Sequence, residues 1–365
     1  MPEPQTTELP NPFQFTDGRT VRTPDDWSER RRELADLIIN IQYGGLPPTP
    51  SGITAQPLFT HRASRFADAS YTQYRLIHDD HPAFHFRLDV LVPPSGGPFP
   101  VVLTGDACFQ TVSDEITLDI LQRNFILAQF SRVAIVPDLY NDDRTTGLYL
   151  VYPDHTFGAL AAWAWGYHRC IDALLTLDTV DPNRIAAVGH SRGGKTALLA
   201  GATDRRIALT APNASGAGGA GCYRYLGPNS ETLADNINAL AYWYGPKLRD
   251  YLNKVDDLPF DQHSLKALVA PRALLTTEAL DDLWANPAGT FQTHRAAREV
   301  YRFLGADRRI GIAYRPGDHA HTRADWRTFL DFMNHQLCDQ PTELDFNPNP
   351  YPDLPPAFTW QAPRD

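Results

Sequence analysis

The sequence predicts an α/β protein, a three-layer α/β/α sandwich around a mostly parallel central sheet, and three observations carry this. Short β-branched runs of the kind found in strands buried on both faces recur along the chain. Helix-like stretches separate them, which places crossover helices on both faces of the sheet. One strand-like run, Arg184 to Val188, passes through a glycine-rich turn directly into a helix-like one, Thr196 to Ala202.

The elements follow in order. Residues 1–50 mix proline and polar residues with one amphipathic stretch, Asp25 to Tyr43, in which Asp25 or Asp26 caps a helix carrying Leu34, Leu37, Ile38 and Ile41 on one face. This part reads as a docking arm. Residues 51–340 read as one catalytic domain. Within it Phe84, Phe86, Leu88, Val90 and Val92 alternate with polar residues, the signature of a half-exposed strand. Phe99 to Leu103 and Val133 to Val136 read as buried strands, and Thr156 to Leu177 as an apolar helix. Ile207 to Thr210, Ala273 to Thr276 and Ile310 to Tyr314 complete the strand set. Residues 341–365 are rich in proline and asparagine and read as an extended strap or a loose end.

Composition narrows the function. The 365 residues carry 43 acidic against 33 basic side chains, a net charge of −10 that argues against a nucleic-acid binder. No run approaches the ~18 apolar residues of a membrane span. The opening Met-Pro-Glu-Pro-Gln-Thr-Thr-Glu has neither a basic nor an apolar leader region, so the expectation is a cytoplasmic protein unless a leader has been removed. Cys108, Cys170, Cys222 and Cys338 are too few and dispersed for a disulfide framework or metal site, and read as core or free thiols with one or two bridges open to them. A monomer is expected, with no metal, cofactor, nucleic-acid or membrane partner.

Gly189-His190-Ser191-Arg192-Gly193 is a G-x-S-x-G sequence in the strand–turn–helix setting of a nucleophile elbow. Flanking glycines let Ser191 sit in a strained turn, while the following helix aims its first N–H groups at a developing oxyanion. The base follows the last strand, where Gly317-Asp318-His319 favours His319; His321 is the alternative, and a His-x-His metal pair a third reading. The acid follows the preceding strand, where Asp282 fits best and Asp281 and Glu278 are alternatives. A second oxyanion donor is expected from a backbone N–H around Gly105, Asp106 and Ala107. An arginine beside the nucleophile suits a reaction that develops an oxyanion and releases a carboxylate.

The Ser191-Arg192-x-Gly194-Lys195 extension, followed by Pro212-Asn213-Ala214-Ser215-Gly216-x-Gly218-Gly219-Ala220, resembles the glucuronoyl esterases of carbohydrate esterase family 15, a branch of the α/β-hydrolases. Leu9-Pro10-Asn11-Pro12-Phe13, Tyr43-Gly44 and Leu258-Pro259-Phe260-Asp261 extend the likeness over most of the chain. The resemblance implies that Ser191 is the nucleophile and His319 the base, with Arg192 supporting the oxyanion through its side chain. It further implies that Lys195 grips sugar hydroxyls, Trp284 lines the uronate pocket and Glu231 bonds sugar hydroxyls. Where fungal members carry a glutamate after the sixth strand this chain has Ala214, which places the triad acid at Asp282, as in bacterial relatives. Where the fungal pattern has cysteines beside the serine and the histidine, this chain has His190 and Ala320. The implied activity is hydrolysis of (4-O-methyl-)glucuronic acid esters, such as lignin–carbohydrate links on glucuronoxylan. A general carboxylesterase or acetylxylan esterase is the alternative, and an inactive carbohydrate-binding relative a third reading.

Overall fold

In the computed structural model, which describes residues 8–109, 112–140 and 143–363, nine strands form one sheet. Residues 1–7, part of the opening stretch read above for a leader, lie outside them. The strands are β1 (Ile53–Ala63), β2 (Ala69–His78), β3 (His85–Val92), β4 (Phe99–Thr104), β5 (Ile126–Phe130), β6 (Val180–His190), β7 (Ile207–Asn213), β8 (Ala273–Ala279) and β9 (Ile310–Arg315). The helices are α1 (Pro24–Gln42), α2 (Asp114–Leu121), α3 (Leu148–Val151), α4 (Ala159–Leu174), α5 (Arg192–Thr203), α6 (Leu233–Leu240), α7 (Gln262–Ala267), α8 (Pro287–Phe303) and α9 (Arg323–Cys338). The sheet order is β1-β2-β3-β5-β4-β6-β7-β8-β9. Pairing is antiparallel from β1 to β5 and parallel from there to β9.

Two cores explain why the parallel strands read as continuous apolar runs. Val101 and Leu103 of β4 and Ile185 and Ala187 of β6 face a core shared with α1, α4 and α5. Val102, Ala186 and Val188 face a second core shared with α2 and α9. Each fully buried aliphatic side chain contributes about 1.5–3 kcal/mol by leaving water, so both faces of these strands must be apolar.

Two local expectations are corrected. Val133 to Val136 is not a strand: Arg132–Ala134 forms a 3₁₀ turn that leaves Ile135 and Val136 buried. The strand lies upstream at β5, where Ile126, Leu127, Ala128 and Phe130 are buried around the partly exposed Gln129. A four-residue apolar run satisfies a buried turn as well as a strand, so periodicity alone chose the wrong one. The helix α1 is capped not by Asp25 or Asp26 but by Thr23, and Asp26 sits at its third position, accepting the Thr23 N–H at 2.9 Å.

The first and last described segments of the chain lie together. Leu9 N–H donates to Ala357 O at 2.8 Å, and Trp360 Nε1 to Leu9 O at 2.7 Å. On the way there, Phe346 O takes the Ile312 N–H of the edge strand β9 at 2.7 Å. Arg31 of α1 donates to Leu268 O at 2.7 Å and to Ala202 O at 3.0 Å, fastening that helix beside the α5 and α7 ends.

Candidate active site

The turn between β6 and α5 holds Ser191 at φ 55°, ψ −123°, a conformation that costs about 1–3 kcal/mol for a residue with a Cβ. Its neighbours permit this: a Cβ on Gly189 would strike the Gly193 carbonyl, and one on Gly193 the Asp106 carboxylate. Ser191 Oγ donates to His319 Nε2 at 2.9 Å, and His319 Nδ1 donates to Asp282 Oδ2 at 2.6 Å. The three residues come from the ends of β6, β9 and β8, so the sheet's parallel order is what brings them together. Asp281 instead takes the Gly317 N–H at 2.7 Å and ties down the histidine loop. Glu278 lies buried within β8, where burial pushes its carboxyl up to about 8. His321 stacks on Trp326 at 4.7 Å and is kept neutral by burial, well below the ordinary imidazole range.

The three N–H groups from which the second oxyanion donor was expected are already engaged. Gly105 N–H is taken by Tyr167 Oη at 2.8 Å, Asp106 N–H by Thr104 Oγ1 at 3.3 Å and Ala107 N–H by Phe130 O at 3.3 Å. Asp106 acts as an anchor, accepting the His190 N–H at 2.7 Å and pairing with Arg132. Beside Ser191 stand the first N–H groups of α5, which have no intrahelical partner, and the Arg192 guanidinium. That guanidinium lies 4.9 Å over the Trp243 ring and donates to Asp138 Oδ2 at 2.8 Å.

A cavity of about 530 Å³ opens beside Ser191, lined by Lys195, Glu231, Asn238, Trp243 and Trp284. Lys195 Nζ is buried and donates to Glu231 Oε2 at 3.0 Å and to Ala217 O at 2.5 Å. Burial lowers its pKa, and the Glu231 carboxylate opposes that shift. Glu231 N–H donates to Trp284 O at 2.9 Å, which joins the two walls, and the Trp284 side is 54% exposed at the rim.

Comparison with known proteins decides the family. A family model described as "Glucuronyl esterase, fungi" matches residues 77–305. The chain belongs to the glucuronoyl esterases. A 4-O-methyl-glucuronoyl methylesterase from Podospora anserina is 32% identical over 87% of this chain, which spans 64% of that relative's length. A carbohydrate esterase family 15 glucuronoyl esterase from Caldicellulosiruptor kristjansonii shares 31% identity and a TM-score of 0.85, over 98% of this chain and 97% of that one. A Sporotrichum thermophile glucuronoyl esterase, in complex with methyl 4-O-methyl-β-D-glucopyranuronate, shares 26% identity and a TM-score of 0.77 over 93% of this chain and 89% of that one. Membership makes the chain a carboxylic ester hydrolase of α/β-hydrolase architecture.

Against the fungal glucuronoyl esterase pattern, Ala214 lines the cavity with φ 41°, its N–H donating to Thr277 O at 2.9 Å. All four cysteines are free, so neither of the bridges left open above forms. The sequence reading missed Asp138, Tyr242 and Asn213. Asp138 accepts from Arg192, from Tyr242 Oη at 2.5 Å and from Trp243 Nε1 at 3.2 Å. Asn213 Oδ1 accepts from His190 Nδ1 at 2.6 Å, and its Nδ2 donates to Thr277 Oγ1 at 2.8 Å. Asn213 stood inside the family-like run without a role; Asp138 had no sequence signal.

Proposed function

We propose that this glucuronoyl esterase hydrolyses esters of glucuronic acid and its 4-O-methyl ether, such as lignin–carbohydrate links on glucuronoxylan, through a Ser191–His319–Asp282 triad. The observation that carries this reading is the buried Lys195–Glu231 pair, 3.0 Å apart, in the cavity that also holds Ser191. A general esterase has no need of a buried ion pair beside its nucleophile, since an unpaired or poorly paired buried charge is costly. A sugar acid presents hydroxyls that such a pair meets with both donors and acceptors.

The steps follow from the geometry. His319 Nε2 takes the Ser191 proton as Oγ attacks the C6 carbonyl, and Asp282 holds the imidazole as the Nδ1–H tautomer and stabilises the imidazolium. The oxyanion is met by Arg192 and the first N–H groups of α5. His319 returns the proton to the alcohol oxygen as the C–O bond breaks. Water then repeats the sequence on the uronoyl-enzyme, releasing glucuronate.

The test is the rate on benzyl glucuronate beside that on p-nitrophenyl acetate, for wild type, Ser191→Ala and Asp282→Asn. A strong glucuronate preference is expected, with kcat reduced at least about 10⁴-fold in both variants. Preference for the acetate sinks the substrate assignment, and full activity of Asp282→Asn sinks the triad acid.

A further inference from the structure

His319 is held by two hydrogen bonds, one at each ring nitrogen, and 41% of its side chain is exposed. Such bonds fix the two nitrogens but leave the ring and its loop able to swing about the line joining them, because a hydrogen bond keeps most of its strength over a range of angles. A body packed against the ring, off that line, is what opposes the swing. Among the described residues one other ring lies against His319, that of His190, with centroids 4.7 Å apart and planes at 41°. Elsewhere His319 borders open cavities.

His190 is the last residue of β6, one before Ser191, and is itself fixed on three sides. Its N–H donates to Asp106 Oδ2 at 2.7 Å. Its Nδ1–H donates to Asn213 Oδ1 at 2.6 Å, and because Asn213 Nδ2 is spent on Thr277 Oγ1 at 2.8 Å, the amide orientation and the His190 tautomer are both set. The ring then stacks on His321 at 5.5 Å and 22°, and His321 stacks on Trp326 of α9 at 4.7 Å and 21°. A file of three rings therefore runs from α9 to the nucleophile turn, and the base rests against its last member. Burial lowers the pKa of His190 and His321, so the file carries no charge to repel the imidazolium that forms at His319.

We propose that His190 is a positioning residue of the reaction: its ring, pinned to the sheet by Asn213 and backed by His321 and Trp326, sets the angle at which His319 meets Ser191. The proposal rests on the Ser191–His319–Asp282 reading and adds to it the group that orients the base from outside the triad. The need for such a group lies in the chemistry. His319 Nε2 takes a proton from Ser191 Oγ and returns it to the alcohol oxygen, so one nitrogen serves two oxygens in turn and must be aimed between them. A ring free to swing about its two nitrogens loses that aim even while the Asp282 bond persists, and a displacement of about 1 Å is enough to cost about 100-fold in rate. His190 makes and breaks no bond itself; it acts through His319.

The experiment measures kcat and KM on benzyl and methyl glucuronate for wild type, His190→Ala and His190→Phe. In His190→Ala kcat is expected to fall about 10- to 100-fold, by a common factor for the two esters, with KM within about twofold of wild type. His190→Phe keeps a ring in the file and loses the Asn213 bond, and is expected to be at least about threefold faster than His190→Ala. His190 also lines a cavity of about 300 Å³ beside Ser191, so a direct contact with the bound ester would instead move KM or the benzyl-to-methyl ratio. Either of those in place of the common fall overturns the positioning role, as does an unchanged kcat in His190→Ala or a His190→Phe no faster than it. Should His190→Ala fail to fold, His321→Leu removes the backing ring while leaving both bonds of the base, with a common fall of about threefold or more expected and an unchanged kcat overturning the proposal. Failure of wild type to turn over either ester overturns the esterase reading itself.

Discussion

Asp138 accepts three hydrogen bonds at once, from Arg192, Tyr242 and Trp243, and its carboxylate is buried. A flexible guanidinium is thereby held in one place over the Trp243 ring before substrate arrives, which is the preorganisation that the oxyanion role proposed for Arg192 requires. Asp138→Asn keeps the shape and removes the charge. Its kcat is expected to fall about 10- to 100-fold with KM little changed, since the interaction matters at the transition state. Stopped assays that show KM rising with kcat intact would reassign Asp138 to sugar binding. Ser191, Arg192 and Lys195 were legible because one contiguous motif encodes the turn that presents them. Asp138 was not: it stands 54 residues from Arg192 in sequence, and an acid after a proline reads as an ordinary turn.

The histidine loop depends on the helix that follows it. Thr322 caps α9, Asp325 completes the capping box, and the same Asp325 Oδ2 accepts from Arg315 Nε at 2.8 Å. Arg315 reaches on to Asp318 O at 3.1 Å and Ala320 O at 2.5 Å, gripping the loop on either side of His319. Arg315→Ala is expected to lower kcat at least tenfold through a misplaced imidazole, while the Thr322 and Asp325 capping bonds and the α9 circular-dichroism signal remain. Unchanged kcat would show that Asp281 and the packing of His190 are enough to hold the loop. At this scale most strands were legible, because burial on both faces demands continuous apolar runs. The exchange of Val133 to Val136 for β5 shows the boundary of that argument: Gln129 interrupts the true strand, and nothing local tells a buried turn from a buried strand.

Across the whole molecule, burial has left several imidazoles uncharged. His168 and His263 are both lowered to about 4, chiefly by desolvation, and His263 Nε2 donates to Pro10 O at 2.8 Å, fixing the N-terminal segment to α7. An unfolded chain binds protons at these rings near pH 6.5, whereas the native state refuses them until about pH 4. Their stabilisation is therefore complete above pH 6.5 and is lost as pH falls toward 4, at up to about 1.4 kcal/mol per pH unit for each ring. Thermal unfolding should move down by several degrees between pH 7 and pH 5, and less steeply in His263→Gln. Equal slopes in the two proteins would remove His263 from the account.

By itself the sequence determined the sandwich of helices around a mostly parallel sheet, the elbow that presents Ser191, the histidine after the last strand and the family to which the chain belongs. These are properties of contiguous residues: periodicity, glycine placement and motif spacing act within a turn or a strand. Tertiary structure alone decided that Asp282 rather than Asp281 or Glu278 meets His319, that the Gly105, Asp106 and Ala107 N–H groups are already taken, and that Asp138 secures Arg192. Each of those rests on a distance of a few ångströms between side chains far apart in the chain. Such distances follow from the order and register of the strands, which no local run of residues contains.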